Sequence, residues 1–256
     1  MTRCVIWGAG ELGGRVGRLA IGEGYDVHAY TATTSRHSDL QSAGIKTSVG
    51  DPPPFEPTDL VLLSIAGTDS LHEAIKRVVA HAPPKRIILT SSTGYYHSRA
   101  GIIDAESEAG ESPRAQKIAA METAFQLWAK DAGVILRLGG LYRIGRGPMS
   151  AYQKKKNIPP GPPNKVLALI HYDDAAQATF AAMTRADPKP HYIVVSSVCP
   201  TRQEFYLAAS VLLGLPIPSF GKPMLGPPMD YDTQHMELDL LPAPSHPRWQ
   251  TALVPA

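Results

Sequence analysis

The sequence predicts an α/β chain, a doubly wound parallel sheet with a small C-terminal lobe, on three observations. A short apolar run, Val5-Ile6-Trp7, breaks into Gly8-Ala9-Gly10-Glu11-Leu12-Gly13 and resumes with the spacing of a helix. Further apolar runs at 59–65 and 86–90 suit strands covered on both faces, and they alternate with segments of helical period. Hydroxyl side chains then crowd residues 91–97, at the carboxyl end of a strand, where open α/β sheets hold their ligands. These features describe a Rossmann-type, dinucleotide-binding sheet in residues 1–142 and a substrate lobe in 143–256, from which 166–196 returns to the sheet.

The glycine stretch is specific about its ligand. Gly8 allows a tight turn out of the strand, Gly10 lets a pyrophosphate approach the backbone without meeting a Cβ, and Gly13 lets the new helix lie close to the strand. The free N–H groups at the helix start, with the positive end of its dipole, face the anion. The helix carries Val16, Leu19, Ala20 and Ile21, and a second strand follows at Asp26–Tyr30.

Composition narrows the class. With 43% hydrophobic residues, 19% charged residues and a net charge of +2, the chain is an ordinary globular protein, and nothing argues for a nucleic-acid or membrane partner. It begins directly with a buried-type strand and has no apolar run near membrane length, so a cytoplasmic location is expected. Cys4 and Cys199 form neither a disulfide framework nor a metal cluster, and Cys4 is expected in the core. The nine histidines lack H-x-x-x-H or Cys/His spacing, so no metal is expected.

Taken in order, the segment after the second strand runs Tyr30-Thr31-Ala32-Thr33-Thr34-Ser35-Arg36, with no carboxylate before Asp39. An acid here would hold adenosine ribose hydroxyls and repel a 2′-phosphate; an arginine attracts one, so NADP is preferred over NAD unless Arg36 is simply a surface charge. A third strand at 44–49 ends at Gly50-Asp51, and Pro52-Pro53-Pro54 enforces a loop. After the 59–65 strand, Ala66 and Gly67 are small where a cofactor would pass, and Asp69 starts a helix with Leu71, Ile75, Val78 and Val79 on one face.

Ser112 and Pro113 read as N-cap and first residue of a helix through Trp128, with Met121, Ala124, Phe125 and Trp128 inward. Lys117, four residues before Met121, is placed on that inward side, where it either snorkels along apolar surface or reaches the cofactor. A sixth strand at 134–138 leads into a glycine-rich, doubly basic segment, 139–148, which enters the lobe. Lys154-Lys155-Lys156 reads as a solvated face and 157–163 as a proline loop. Residues 166–170 read as strand, 171–174 as a helix start capped by an aspartate, 191–196 as strand, and Thr201 with Glu204 as the capping box of a helix to about Leu213. From Leu215 proline recurs nine times, and a tail wrapped against the lobe is expected.

These motifs together resemble the short-chain dehydrogenase/reductase superfamily, in particular atypical members of its NAD-dependent epimerase/dehydratase branch, from about residue 3 to residue 213. The resemblance rests on the glycine turn, Gly50-Asp51, Ser91-Ser92-Thr93-Gly94-Tyr95-Tyr96, Lys117 with Glu122, the run from Arg137 to Tyr142, and the run from Ile170 to Asp174. It implies that Ser92 polarises a substrate carbonyl, and that Lys117 binds the nicotinamide ribose and lowers the pKa of a tyrosine one helical turn earlier. Position 113 is proline, so the usual acid/base group is missing. Tyr96 is the first candidate to replace it, with Tyr95, Tyr142 and His171 as others, and each of these has a plain packing role as its alternative.

The expected site therefore has Gly8, Gly10, Glu11, Leu12 and Gly13 at the pyrophosphate, and Thr31, Arg36 and Asp51 around the adenosine. Ala66, Gly67, Ser91 and Lys117 fall at the nicotinamide, and Thr93, Tyr95, Tyr142, Arg143 and His171 on the substrate side. The leading expectation is an NAD(P)-dependent oxidoreductase acting on a small carbonyl, hydroxyl or imine compound. An epimerase or dehydratase with tightly held NAD(P), and a non-catalytic NADP-sensing regulator, are the alternatives. The assembly is left open, a homodimer included.

Overall fold

The computed structural model describes residues 1–97, 99–155, 158 and 160–252. Lys156, Asn157 and Pro159, within the segments read above as a charged face and a proline loop, lie outside the described residues. The elements in chain order are β1 (Arg3–Trp7), α1 (Glu11–Gly22), β2 (Asp26–Thr31), α2 (His37–Ser42), β3 (Lys46–Val49), β4 (Leu60–Leu63), α3 (Thr68–Val78), β5 (Arg86–Ser92) and β6 (Ile102–Ile103). There follow α4 (Pro113–Ala129), β7 (Gly133–Leu138), β8 (Gly140–Tyr142), α5 (Pro148–Lys155), β9 (Leu169–His171), α6 (Tyr172–Thr184), β10 (His191–Val194), α7 (Arg202–Leu213), β11 (Asp230–Tyr231) and α8 (Gln234–Asp239).

A seven-stranded parallel sheet in the order β10-β7-β5-β4-β1-β2-β3 forms the centre. Side chains alternate along each strand, so each strand feeds two cores. Ile6, Leu62, Ile88, Val134 and Leu136 face one core with Leu12, Val16, Leu40 and Ala175. Val5, Trp7, Val61, Leu63, Ile87, Leu89 and Ile135 face the other with Leu71, Ile75, Ile118, Met121 and Phe125. The doubly wound α/β architecture read from the apolar runs is thus the one observed. Cys4 is buried in the first core, where burial pushes its thiol up to about 12.

Chain order reverses at β1, whose neighbours are β2 and β4, and ligands of such sheets bind in the crevice that this switch opens at the carboxyl ends. Helix α1 packs closely on the sheet beside this crevice, since a Cβ on Gly17 would come 2.8 Å from Ile45 and 3.0 Å from Ile6.

The C-terminal half departs from the sequence reading in four places. Of residues 166–196 only β10 joins the central sheet; β9 pairs with β8 in a separate two-stranded ladder, because Gly139 N–H goes to Val194 while Gly140 N–H turns to Ala168. The N-cap of α6 is His171, whose Nδ1 accepts the Asp173 N–H at 3.2 Å; Asp173 and Asp174 lie inside the first turn. Residues 148–155 form α5, which the sequence reading treated as part of the lobe's loops and charged face. The tail reaches beyond the lobe: Met236, Leu240 and Leu241 of the α8 region enter the main core, and Asp174, itself buried, accepts N–H groups from Ser245 and His246. By contrast, α7 has the Thr201/Glu204 capping box and ends at Leu213.

Candidate functional site

Two open clefts run along the carboxyl edge of the sheet and share Gly10, Ser64, Ile65 and Ala66. One, of about 700 Å³, is lined by Trp7, Tyr30, Thr31, Arg36, Asp51 and Arg77 among others. The other, of about 400 Å³, is lined by Glu11, Leu12, Gly67, Ser91, Ser92, Arg114, Met121 and Arg146 among others. They meet over the N-terminus of α1, whose first N–H groups have no partner within the helix.

The glycines there test whether a dinucleotide fits. A Cβ on Gly8 would sit 2.4 Å from the Ser64 oxygen, and its φ of 97° belongs to glycine; a Cβ on Gly13 would sit 2.7 Å from the Gly8 oxygen. These two positions exclude side chains for the sake of the fold. Gly10 differs: a Cβ there would meet no protein atom within 4 Å, and its φ of −69° suits any residue. The fold therefore does not require its bareness, which leaves room at both clefts for a close-approaching anion.

In the larger cleft, Thr31 Oγ1 donates to the Thr33 carbonyl at 2.8 Å and lies 2.7 Å from His37 Nε2. Arg36 Nη2 donates to Asp39 Oδ2 at 2.9 Å, while its Nη1 is buried without a hydrogen-bond partner. Asp39 is also bonded by Arg18, so two guanidiniums share one carboxylate whose pKa they hold below the ordinary range. Asp51 is paired with Arg77, which lies 5.4 Å from the ring centre of Trp7. Glu11, set at the junction, is clamped by Arg15 and Arg143; burial alone would raise its carboxyl, but these hydrogen bonds hold it below the ordinary range.

In the smaller cleft, Ser92 Oγ accepts the Gly94 N–H at 3.0 Å, which leaves its own O–H to donate. Ser91, its neighbour, instead donates to the buried Glu122, which is paired at 2.8 Å with the equally buried Arg137. Gly67 holds φ 90° at the start of α3, a left-handed conformation that a side chain would strain.

Several expected residues stand elsewhere. Lys117 is half-exposed and paired with Asp69; the buried face of α4 runs through Ala115, Ile118, Met121, Glu122 and Phe125, and Lys117 lies on its flank. Tyr96 is fully buried, its hydroxyl accepting from Arg137 at 2.5 Å, with burial raising its phenol above the ordinary value; it does not line the smaller cleft. Tyr95 packs 3.7 Å from the Arg137 guanidinium on the far side of that ion pair, and Thr93 lies beside Tyr231. Tyr142, buried, sits against His171 and the Ser196 hydroxyl. His171 is buried and committed to capping α6; burial, then His246, lowers its imidazole to about 4 despite Asp173, so it is neutral at pH 7. Arg143 is held by Glu11.

Residues that the sequence reading missed include Arg114 and Arg146 in the smaller cleft. The helical spacing of 114, 118 and 121 was a usable signal for the first, because all three line the cleft. No local spacing could reveal that His246 stacks on His171, ring centres 3.6 Å apart, beside Asp173. Asp173 is itself bonded by Arg15.

No family model and no curated protein matches the sequence. Solved structures do match. A functionally unknown conserved protein from Silicibacter pomeroyi is 20% identical with a TM-score of 0.76, covering 98% of this chain and 96% of the other. A protein named as an NAD-dependent epimerase/dehydratase, from Methylobacillus flagellatus, is 18% identical with a TM-score of 0.75, covering 98% and 96%. The UDP-glucuronic acid 4-epimerase of Bacillus cereus, solved with NAD, is 14% identical with a TM-score of 0.76, covering 98% and 97%. The chain has the epimerase/dehydratase fold. At identities of 14–20% the likeness is one of architecture, and it spans both the sheet and the lobe of this epimerase/dehydratase-fold protein. Among the described residues no helix is long and apolar enough to cross a membrane.

Proposed function

We propose that this chain is an NAD(P)-dependent oxidoreductase acting on a small carbonyl, hydroxyl or imine compound. The observation that carries the reading is Gly10, which is bare toward the junction of two clefts and nowhere constrained by the protein itself. The backbone of Gly8 to Gly13 would hold the pyrophosphate; Thr31, Arg36 and Asp51 line the adenosine half, and Ala66, Gly67, Ser91 and Ser92 the nicotinamide half. The bound dinucleotide supplies hydride chemistry. Ser92 presents its hydroxyl proton to the substrate oxygen and polarises it. Ser91 has another task, since its bond to Glu122 anchors β5 to α4 and fixes the backbone that carries Ser92.

NADP is favoured over NAD by Arg36. Arg18 and Arg36 share only Asp39, so the pair keeps a net positive charge beside the cleft that Arg36 lines, and that charge attracts a 2′-phosphate. Titration of the cofactor-free protein with NADPH and NADH, followed through Trp7 emission, tests the reading. Tighter binding of NADPH supports it, equal affinity removes the role of Arg36, and no binding of either form, reduced or oxidised, removes the cofactor.

A second reading, an epimerase or dehydratase, is favoured by the likeness to a UDP-sugar epimerase over 98% of the chain. Cofactor retained through purification and unconsumed during turnover would select it. Pro113, at the first position of α4, favours a third, a regulator that binds NADP without turnover; a shape change on cofactor binding, with no reaction on any substrate screened, would select that one.

A further inference from the structure

The smaller cleft has an electrostatic character that the cofactor reading leaves unused. Two guanidiniums line it, Arg114 from the first turn of α4 and Arg146 from the segment entering the lobe. Among the described residues these are the two arginines whose guanidinium takes part in no hydrogen bond or ion pair; the others are tied to carboxylates, carbonyls or other partners. The carboxylate lining the same cleft, Glu11, is already engaged by Arg15 and Arg143. The cleft therefore carries two uncompensated positive charges.

Arg114 is also close to the reacting group. Its Nε and the Ser92 Oγ both lie 3.3 Å from one point, the place a Cβ on Gly94 would take. Absence of that Cβ leaves the space between guanidinium and hydroxyl open. Arg146 lies 5.7 Å from the ring centre of Tyr172, which lines the same cleft, a cation–π contact that steadies it without using its N–H donors. A planar guanidinium with free donors matches a carboxylate or phosphate in forked geometry.

We infer that the substrate of this cleft carries an oxyanion, a carboxylate or a phosphate, held between Arg114 and Arg146 with its reacting oxygen at Ser92. The inference rests on the cofactor reading above for its orientation. It also explains how the site orients a substrate though Pro113 offers it no side-chain polar group.

The test is equilibrium titration of the full chain saturated with NADP⁺, and of the chain alone, with oxamate, glycerol 3-phosphate and the uncharged hydroxyacetone. We expect one of the two anions to bind at least about tenfold tighter than hydroxyacetone, and that anion tells carboxylate from phosphate. Arg114→Gln and Arg146→Gln should each weaken it by about 10- to 100-fold, as losing a charge-assisted hydrogen bond does. Hydroxyacetone and NADP⁺ affinities should hold, and because both residues are exposed and neither guanidinium makes a hydrogen bond or ion pair, the variants should melt within a few degrees of the parent, Arg146→Gln losing only its contact with Tyr172. Anion affinity no better than hydroxyacetone's, or unmoved by either substitution, overturns the inference. Failure of NADP⁺ itself to bind strikes the cofactor reading separately, since the anions are titrated into the cofactor-free chain as well.

Discussion

Substituting Gly10 by alanine separates the ligand from the fold more cleanly than any other change at the turn. The new methyl meets nothing within 4 Å of its Cβ, and the backbone at φ −69° accepts it, so the folded chain loses only the modest advantage of glycine over alanine at an N-cap, about 1 kcal/mol or less. Toward a pyrophosphate the same methyl stands in the line of approach. If it displaces two backbone N–H bonds to the charged ligand, at ~1.5–3 kcal/mol each, the loss is ~3–6 kcal/mol, or ~10²- to 10⁴-fold in affinity. Gly8→Ala is the contrasting control: its Cβ would lie 2.4 Å from the Ser64 oxygen at a φ of 97°, so it should fail by unfolding. NADPH titration by Trp7 emission, paired with thermal melts, reads both quantities. A folded Gly10→Ala protein that binds NADPH or NADH like the parent would refute the placement of the pyrophosphate.

The other expectations concern single side chains. Ser92→Ala should lower turnover about 10²-fold or more with cofactor affinity unchanged, and steady-state kinetics with a screened substrate will show whether turnover falls alone. Arg36→Ala should cost NADPH about tenfold in affinity and NADH little, so a loss equal for both would remove the 2′-phosphate contact. His171 has its pKa lowered in the fold to about 4 from an ordinary 6.5, chiefly by burial. The unfolded chain therefore binds the extra proton first as pH falls: the stability His171 contributes is present above pH 6.5 and is lost between 6.5 and 4. Melting temperature should rise with pH across that window in the parent and rise less in His171→Asn; identical slopes would contradict the assignment.

Much of the sheet was legible because its signals are local. The run Leu60–Leu63 is apolar at every position and buried at every position, as a central parallel strand must be, and Thr201 with Glu204 announced α7 through a three-residue spacing. What stayed hidden depends on contacts between distant residues. An aspartate of 173–174 read as the cap for α6, but the Asp174 carboxylate serves the tail at Ser245 and His246, Asp173 is bonded by Arg15, and His171 caps instead. Likewise Arg143 and Arg146 are indistinguishable in the sequence; a bond to Glu11, remote in the chain, takes the first and leaves the second in the cleft.

Position 113 shows how a departure from pattern can be informative in itself. Proline at the first position of α4, with Ser112 accepting the Ala115 N–H, sets the start of the helix and removes any polar side chain from that position. The next residue, Arg114, lies one turn before Ile118 and shares the cleft with Ile118 and Met121, so the cleft keeps a polar group from the first turn of α4. An arginine cannot yield its proton near neutrality, as an acid/base phenol must; it can only hold and orient negative charge. If the chain turns over a substrate, we propose that the proton comes through Ser92, whose O–H is free to donate, from the solvent that the open cleft admits, and that the work of position 114 is done before the chemistry, in choosing an anion and aiming it. A solvent isotope effect on turnover that vanishes in Ser92→Ala while persisting in Arg114→Gln would establish that division of labour, and the reverse pattern would refute it.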